Sequence, residues 1–190
     1  MNVILDMDGV MVDFMGALHK ALNLPYSEAA HPYPKRTYEM LAMVAERAGI
    51  PEAEVYKICD GREFWASMEW TKEGKELVAL VRKNIGDRNI FICTSPMPRG
   101  DAWAGKVDWV QREVPWLSRS LVISSAPKHL LAKKDVILID DKDKNVREFA
   151  QHGGIGFLVP RPWNSAESVM GRNWLSVLDG LLCHEPEVMR

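Results

Sequence analysis

Four polar clusters in this sequence carry side chains suited to metal and phosphate chemistry: "DMDG" (6–9), "TSP" (94–96), Lys128, and "LIDDKDKN" (138–145). Asp6 and Asp8 are two residues apart, so in an extended chain both carboxylates project to the same side. Gly9 lets the backbone turn sharply beneath them. Asp140 and Asp141 are adjacent acids that follow an aliphatic run. Like charges repel, and a buried carboxylate is costly unless a cation or donors compensate it. Asp6, Asp8 and Asp141 gathered in one place would require a hard cation, and oxygen-only ligation with room for water and a phosphate suits Mg²⁺. Thr94, Ser95 and Lys128 add the donors and positive charge that a bound phosphate needs. A plainer reading stands beside this one. Adjacent acids can start a solvated loop and cap the next helix, Thr-Ser-Pro can be a helix entry, and Lys128, like Lys133 and Lys134, can merely flank a strand.

Groups so far apart in sequence can meet only if the fold brings strand ends together. Apolar runs at 2–5, 89–93, 120–124, 135–139 and 155–159 have the length and unbroken aliphatic character of strands buried on both faces. Amphipathic stretches lie between them. Leu77, Leu80 and Val81 share a face ahead of Gly86, and Val146, Phe149 and Ala150 repeat the spacing ahead of Gly153. This alternation predicts an α/β fold, a parallel sheet flanked by helices. Ligands bind such sheets at the carboxyl ends of the strands, where the polar clusters fall. Residues 14–71 break the alternation: they show no strand pattern, but Tyr38, Leu41, Ala42 and Ala45 form a helical stripe, and Pro51 with Glu52 and Glu54 opens another helix. The expected organisation is a core of residues 1–13 and 72–190 with a helical cap, 14–71, inserted after the first strand. "HPYPKR" (31–36) reads as a proline-punctuated loop.

The 190 residues suffice for a buried core, and 47% hydrophobic with 26% charged residues is ordinary for a globular chain. A formal net charge of -2 gives no global attraction to nucleic acid or to an anionic membrane. Cys59, Cys93 and Cys183 have neither metal-type nor disulfide-type spacing, and Cys93 falls inside an apolar run as a buried thiol. The N-terminus has no signal-peptide pattern and no apolar stretch is long enough to span a bilayer, so the expected setting is the cytoplasm. His19, His31, His129 and His152 show no metal-like spacing.

"ILDMDGVMVDF", "FICTSP", the following Lys128 and "LIDDKD" resemble the four motifs of the haloacid dehalogenase (HAD) superfamily of phosphotransferases. More narrowly they resemble the 5'(3')-deoxyribonucleotidases of the cytosolic and mitochondrial type. "GKVDWVQREV" (105–114) resembles that family's helix after the second motif, "EFWASMEW" (63–70) its cap return, and "PRPWN" (160–164) a segment of bacterial and phage relatives. The resemblance implies a Rossmann-like HAD core, a Mg²⁺ cofactor, a nucleotide substrate and a homodimer. It implies that Asp6 attacks phosphorus, that Asp8 is the acid and base, and that Asp6, the Asp8 carbonyl and Asp141 ligate the metal with Asp140 in support. Thr94 and Lys128 would hold the phosphoryl oxygens, with Ser95 and Lys106 as helpers. Two departures accompany it. Lys128 lies 12 residues before Asp140, further than in the family, with "AKK" (132–134) as a local insertion, and Trp70 and Thr71 stand where the family often has proline.

The same resemblance puts Phe14, Phe64 and Trp65 against the nucleoside, where an aromatic face can stack on a base; packing of cap on core is the other role open to them. Trp103, Trp109, Trp116 and Trp174 sit at helical spacings and read as packing residues, whereas Tyr33 and Tyr38 either rim the pocket or pack a loop. Arg161 and Trp163 rim the pocket or pack a loop. The expected activity is Mg²⁺-dependent hydrolysis of nucleoside monophosphates, with no nucleic-acid polymer and no membrane as partner. The alternatives are a phosphatase for another small phosphoester or a polynucleotide 3'-phosphate, and a non-catalytic nucleotide-binding module.

Overall fold

The computed structural model describes residues 1–27, 39–98 and 100–183. Its strands are β1 (Asn2–Leu5), β2 (Ile90–Thr94), β3 (Leu121–Ile123), β4 (Val136–Asp140) and β5 (Ile155–Leu158), each within a residue or two of the runs expected from sequence. They form one parallel sheet in the order β3-β2-β1-β4-β5. Leu5 is in register with Ile92 on one side and Ile139 on the other. The α/β expectation holds, and so does its physical reason: β4 is buried along its whole length, whereas β3 and β5, at the edges, are only partly so.

Side chains alternate between two faces. Val3, Leu5, Ile90, Ile92, Ile137 and Ile139 join the larger core, which includes Leu77 and Val81 of helix α5 (Gly74–Ile85) and Trp109 of α6 (Ala102–Glu113). Ile4, Cys93, Val136 and Leu138 point the other way, onto Phe149 of α7 (Asp143–Gln151). Cys93 is buried, as its apolar run implied. The last described helix, α8 (Trp174–Cys183), buries Trp174, Leu178 and Leu182 in the larger core. No described helix is long and apolar enough to cross a membrane.

Between β1 and α5 lie α1 (Phe14–Ala21), α2 (Met40–Ala48), α3 (Glu52–Cys59) and α4 (Arg62–Ala66), with no named strand among the described residues. Asp13 caps α1 by accepting from the Gly16 amide at 2.8 Å. The stripe expected around Leu41 and Ala45 lies on α2, and Glu52 and Glu54 open α3 as anticipated. Tyr38, Tyr33, His31 and the 31–36 loop fall outside the described residues.

The chain entering α1 and the chain leaving α4 lie side by side. The Asp13 amide donates to the Glu69 carbonyl, the Thr71 amide to Met11 and the Thr71 hydroxyl to Val10, at 3.0, 2.9 and 2.8 Å. Helix α4 rests directly on α6. A Cβ at Gly105 would stand 2.2 Å from the Arg62 carbonyl oxygen, so only glycine permits this approach. Arg62 grips Asp108 with two hydrogen bonds of 2.6 and 2.8 Å. Trp103 differs from its expected packing role and is 56% exposed. The buried face of α6 runs through Ala102, Gly105, Lys106, Trp109 and Val110, which leaves position 103 on the solvent side.

Candidate active site

The chain runs from β1 to β2 and β3 on one side of the sheet, then crosses back to place β4 against the other side of β1. The carboxyl ends of β1 and β4 therefore flank the switch point where such sheets bind ligands. Asp6 continues the ladder there, its amide donating to the Ile139 carbonyl at 2.9 Å. Asp140 ends β4 and Asp141 follows it. One carboxylate oxygen from each of Asp6, Asp140 and Asp141 lies within 4.8 Å of the others, and all three residues are buried.

Lys128 stands in a 3-10 turn (Lys128–Leu131) after β3 and extends its ammonium into this cluster. Its Nζ is 2.6 Å from Asp6 Oδ1 and 2.6 Å from Asp140 Oδ2. Asp140 is further saturated by the Lys142 amide at 2.8 Å and Asn145 Nδ2 at 3.0 Å. Its carboxylate therefore anchors Lys128 and the start of α7. Asp141 takes a different set of partners: Trp163 Nε1 donates to Oδ2 at 2.6 Å, and Asn164 Nδ2 donates to the backbone carbonyl at 2.8 Å.

A single lysine does not neutralise three packed acids. Burial raises the Asp6 pKa, and with Asp140 and Asp8 adding to it against the pull of Lys128 it reaches about 7. Asp141 is pushed well above the usual carboxylate range, first by burial and then by Asp140 and Asp6. Burial draws the Lys128 ammonium down, but Asp6 and Asp140 outweigh it and the net shift is upward. Carboxylates held together against their own titration make a site that a hard cation would relieve.

Asp8 projects from the loop after β1 toward a second lysine. Lys106, on α6 and fully buried, donates to Asp8 Oδ2 and to Thr94 Oγ1, the latter at 2.8 Å. Its ammonium lies 4.4 Å from the centroid of the Trp65 ring, within cation–π reach. Asp8 Oδ1 is buried without a hydrogen-bond partner. Beneath the loop, Gly9 has φ 73°, and a Cβ there would meet Asp141 Oδ2 at 2.4 Å.

These groups face a cavity of about 450 Å³, in the range that holds small ligands. Asp6, Asp8, Ser95, Lys128 and Asp141 line its polar end, and Phe14, Trp65 and Trp163 line its walls. Phe14 and Trp65 stack at 5.4 Å with 12° between their planes. The remaining expected residues sit elsewhere. Thr94, Lys106 and Asp140 lie behind the cavity wall: Lys106 and Asp140 are tied to Asp8 and Lys128, which reach it, and Thr94 is tied to Lys106. Phe64 packs edge-on against Phe14 and Trp65 and lines a separate cavity beside Asp13 and Ser67. Lys133 and Lys134 are exposed and line neither.

Sequence reasoning did not assign Asn145 or Asn164 a part in the site, and left Arg161 and Trp163 undecided. Arg161 is buried and donates to the Gly9 carbonyl at 2.6 Å. The available signal was position: residues 160–164 follow β5 next to β4, so they emerge at the same sheet edge as Asp141.

The model of the family described as "5' nucleotidase, deoxy (Pyrimidine), cytosolic type C protein" matches residues 1–183. A human protein, "5'(3')-deoxyribonucleotidase, cytosolic type", is 27% identical over 146 residues, covering 75% of this chain and 71% of its own. Among solved structures, a dehalogenase superposes with a TM-score of 0.55 at 12% identity, covering 97% of each chain. A HAD family hydrolase from Deinococcus radiodurans, solved with bound phosphate and sodium, gives 0.50 at 13% identity, covering 97% of this chain and 98% of its own. At such identities the structural likenesses speak to the fold alone.

Proposed function

The chain belongs to the cytosolic-type 5'-nucleotidase family and is an enzyme of the phosphatase class, and from that premise we propose that it is a Mg²⁺-dependent phosphomonoesterase acting on nucleoside monophosphates, foremost 5'(3')-deoxyribonucleotides. The observation that carries this reading is the buried carboxylate group of Asp6, Asp140 and Asp141, with Lys128 inserted between Asp6 and Asp140 at the polar end of a cavity of about 450 Å³.

In this reading Asp6 is the nucleophile. Lys128 holds its Oδ1, which leaves Oδ2 for in-line attack on phosphorus. The bond from phosphorus to the nucleoside oxygen breaks as Asp8 delivers a proton to that oxygen, leaving an aspartyl-phosphate on Asp6. Asp8 then takes a proton from water as the water oxygen bonds to phosphorus and the Asp6 carboxylate leaves, releasing phosphate. Lys106 keeps the Asp8 carboxylate aimed at the cavity and ties it to Thr94, while Ser95 and Lys128 receive phosphoryl oxygens. Asp6, Asp141 and the Asp8 carbonyl would hold the Mg²⁺, with Asp140 fixing Lys128 from behind. The ion, when bound, supplies positive charge that offsets the carboxylates and the phosphate together. The stacked rings of Phe14 and Trp65 provide an aromatic wall for the base. Residues 14–71 act as a cap domain over a core of 1–13 and 72–190, hinged at the isolated antiparallel bridge between Val12 and Trp70.

Phosphate release from a panel of 5'- and 3'-nucleoside monophosphates, ribose and deoxyribose, measured with Mg²⁺ and with chelator, tests the reading. The panel includes sugar phosphates and a 3'-phosphorylated oligonucleotide. Nucleotides should be turned over fastest, and only with the metal. Faster turnover of sugar phosphates or of the oligonucleotide, or undiminished release in chelator, would refute it.

A further inference from the structure

We propose that Trp163 is the positioning residue of the cation site: its indole N–H holds the Asp141 carboxylate in one orientation toward the metal. The inference deepens the proposed function and rests on its metal assignment.

Asp141 belongs to a loop, and a free carboxylate there could rotate about its last torsion to offer either oxygen. One hydrogen bond to the carboxylate opposes this, and the packing and backbone bonds around it support that bond. Trp163 Nε1 donates to Oδ2 at 2.6 Å. Gly9 leaves the space beside the same oxygen clear, since a Cβ at that glycine would lie 2.4 Å from Oδ2 and 3.2 Å from Trp163 Cζ2. Asn164 Nδ2 binds the Asp141 carbonyl at 2.8 Å and the Val159 carbonyl at 2.8 Å, which fixes the backbone from which the carboxylate projects. Oδ2 is thereby held in place, and with it the plane in which the Asp141 carboxylate meets a cation.

The segment carrying Trp163 also grips the other loop of the site. Arg161 Nε donates to the Gly9 carbonyl at 2.6 Å, and its Nη1 reaches Glu73 Oε2 at 3.2 Å, ahead of α5. Residues 161–164 therefore touch both the loop after β1 and the loop after β4. Arg161, Trp163 and Asn164 are all at least nine-tenths buried. Trp163 in addition lines the cavity. Donors of this kind behind a ligating carboxylate orient it, and their loss typically lowers metal affinity about 10–100-fold.

The five-membered ring of histidine can place Nε2 where tryptophan has Nε1, so two substitutions separate the donor from the ring. Trp163→Phe keeps an aromatic ring and removes the N–H, whereas Trp163→His retains a donor and removes the outer ring. Mg²⁺ affinity is read by calorimetry on the full chain without substrate, with Asp141→Asn alongside. Trp163→Phe should weaken binding about 10–100-fold, Trp163→His should restore most of it, and kcat in Trp163→Phe should recover at saturating Mg²⁺. Unchanged affinity in folded Trp163→Phe, or equal losses in both variants, would overturn the inference while leaving the metal site intact. A wild-type protein that binds no Mg²⁺, or whose binding is indifferent to Asp141→Asn, would instead remove the metal assignment itself. Should neither Trp163 variant fold, the seven indole N–H resonances of the ¹⁵N-labelled wild-type protein serve. One must shift on Mg²⁺ addition and lose that response in Asp141→Asn; seven unresponsive indoles would overturn the inference.

Discussion

Replacing the Asp6 carboxylate by its amide should abolish turnover and at the same time make the metal-free protein more stable. The pKa of Asp6 rises from an ordinary 3.8 to about 7, chiefly through burial. Between those values the folded protein retains a proton that the unfolded chain has released. The stabilisation is therefore complete below about pH 4 and is lost as pH rises through about 7. About 3 pKa units at 1.36 kcal/mol each set the loss at about 4 kcal/mol. Asp6→Asn cannot ionise and escapes it. Urea unfolding in chelator should show the two proteins alike near pH 4, with the variant ahead by up to about 4 kcal/mol at pH 8, or about 8–16 °C in Tm for a chain of this size. Saturating Mg²⁺ should raise the stability of the wild type and not of the variant, closing the gap. A variant no more stable than wild type at pH 8, or a difference that does not change with pH, would refute the electrostatic account of the site.

Asp8→Asn should lose nucleotide turnover but still be phosphorylated by an activated aryl phosphate, whose leaving group needs no proton; quenched-flow detection of a burst checks this, and equal loss with good and poor leaving groups would contradict the role of Asp8. Lys128→Met strands Asp6 and Asp140 without their shared cation and should cost about 3–5 kcal/mol at pH 8, read by urea unfolding; a smaller loss at pH 5 marks its electrostatic origin. Gly105→Ala drives a methyl into the Arg62 carbonyl and should destabilise by about 1–3 kcal/mol. A neutral result from thermal unfolding would mean that α4 does not depend on its close approach to α6.

The strands were legible because aliphatic runs without polar interruption have few alternatives to burial on both sheet faces, and the acids at their ends followed from the same pattern. Trp103 was misread because period alone does not say which side of a helix faces inward; Gly105 and Lys106 decide that, and their burial depends on α4, a partner invisible from α6 itself. The separation of Thr94, Lys106 and Asp140 from the cavity surface was hidden for a related reason. Sequence order puts residues at a strand end, but the direction each side chain takes there is set by neighbours from other elements, such as the lysine that Asp140 holds. Residues 160–164 carried a visible aromatic and a visible cation, yet their connection to Asp141 and Gly9 exists only through the pairing of β4 with β5.

The position of β1 at the centre of the sheet has a consequence for how the chain is made. Leu5 pairs with Ile92 and Ile139, so the first strand synthesised has partners 87 and 134 positions later. At about 5–20 residues per second, translation from Leu5 to Ile139 takes about 7–27 s. Throughout that interval the side of β1 that will meet β4 is an unpaired edge, the kind of segment that aggregates with other nascent chains. Asp6 and Asp8 sit at its end, where charged residues suppress such pairing. Before β4 arrives these carboxylates are solvated and ordinary, and they protect the strand; once β4 docks, the Asp6 charge is buried against Asp140 and Asp141 and opposes its docking. The last step in forming the sheet's centre is thus the one that brings the acids together, and a cation present at that moment should speed folding as well as stabilise its product.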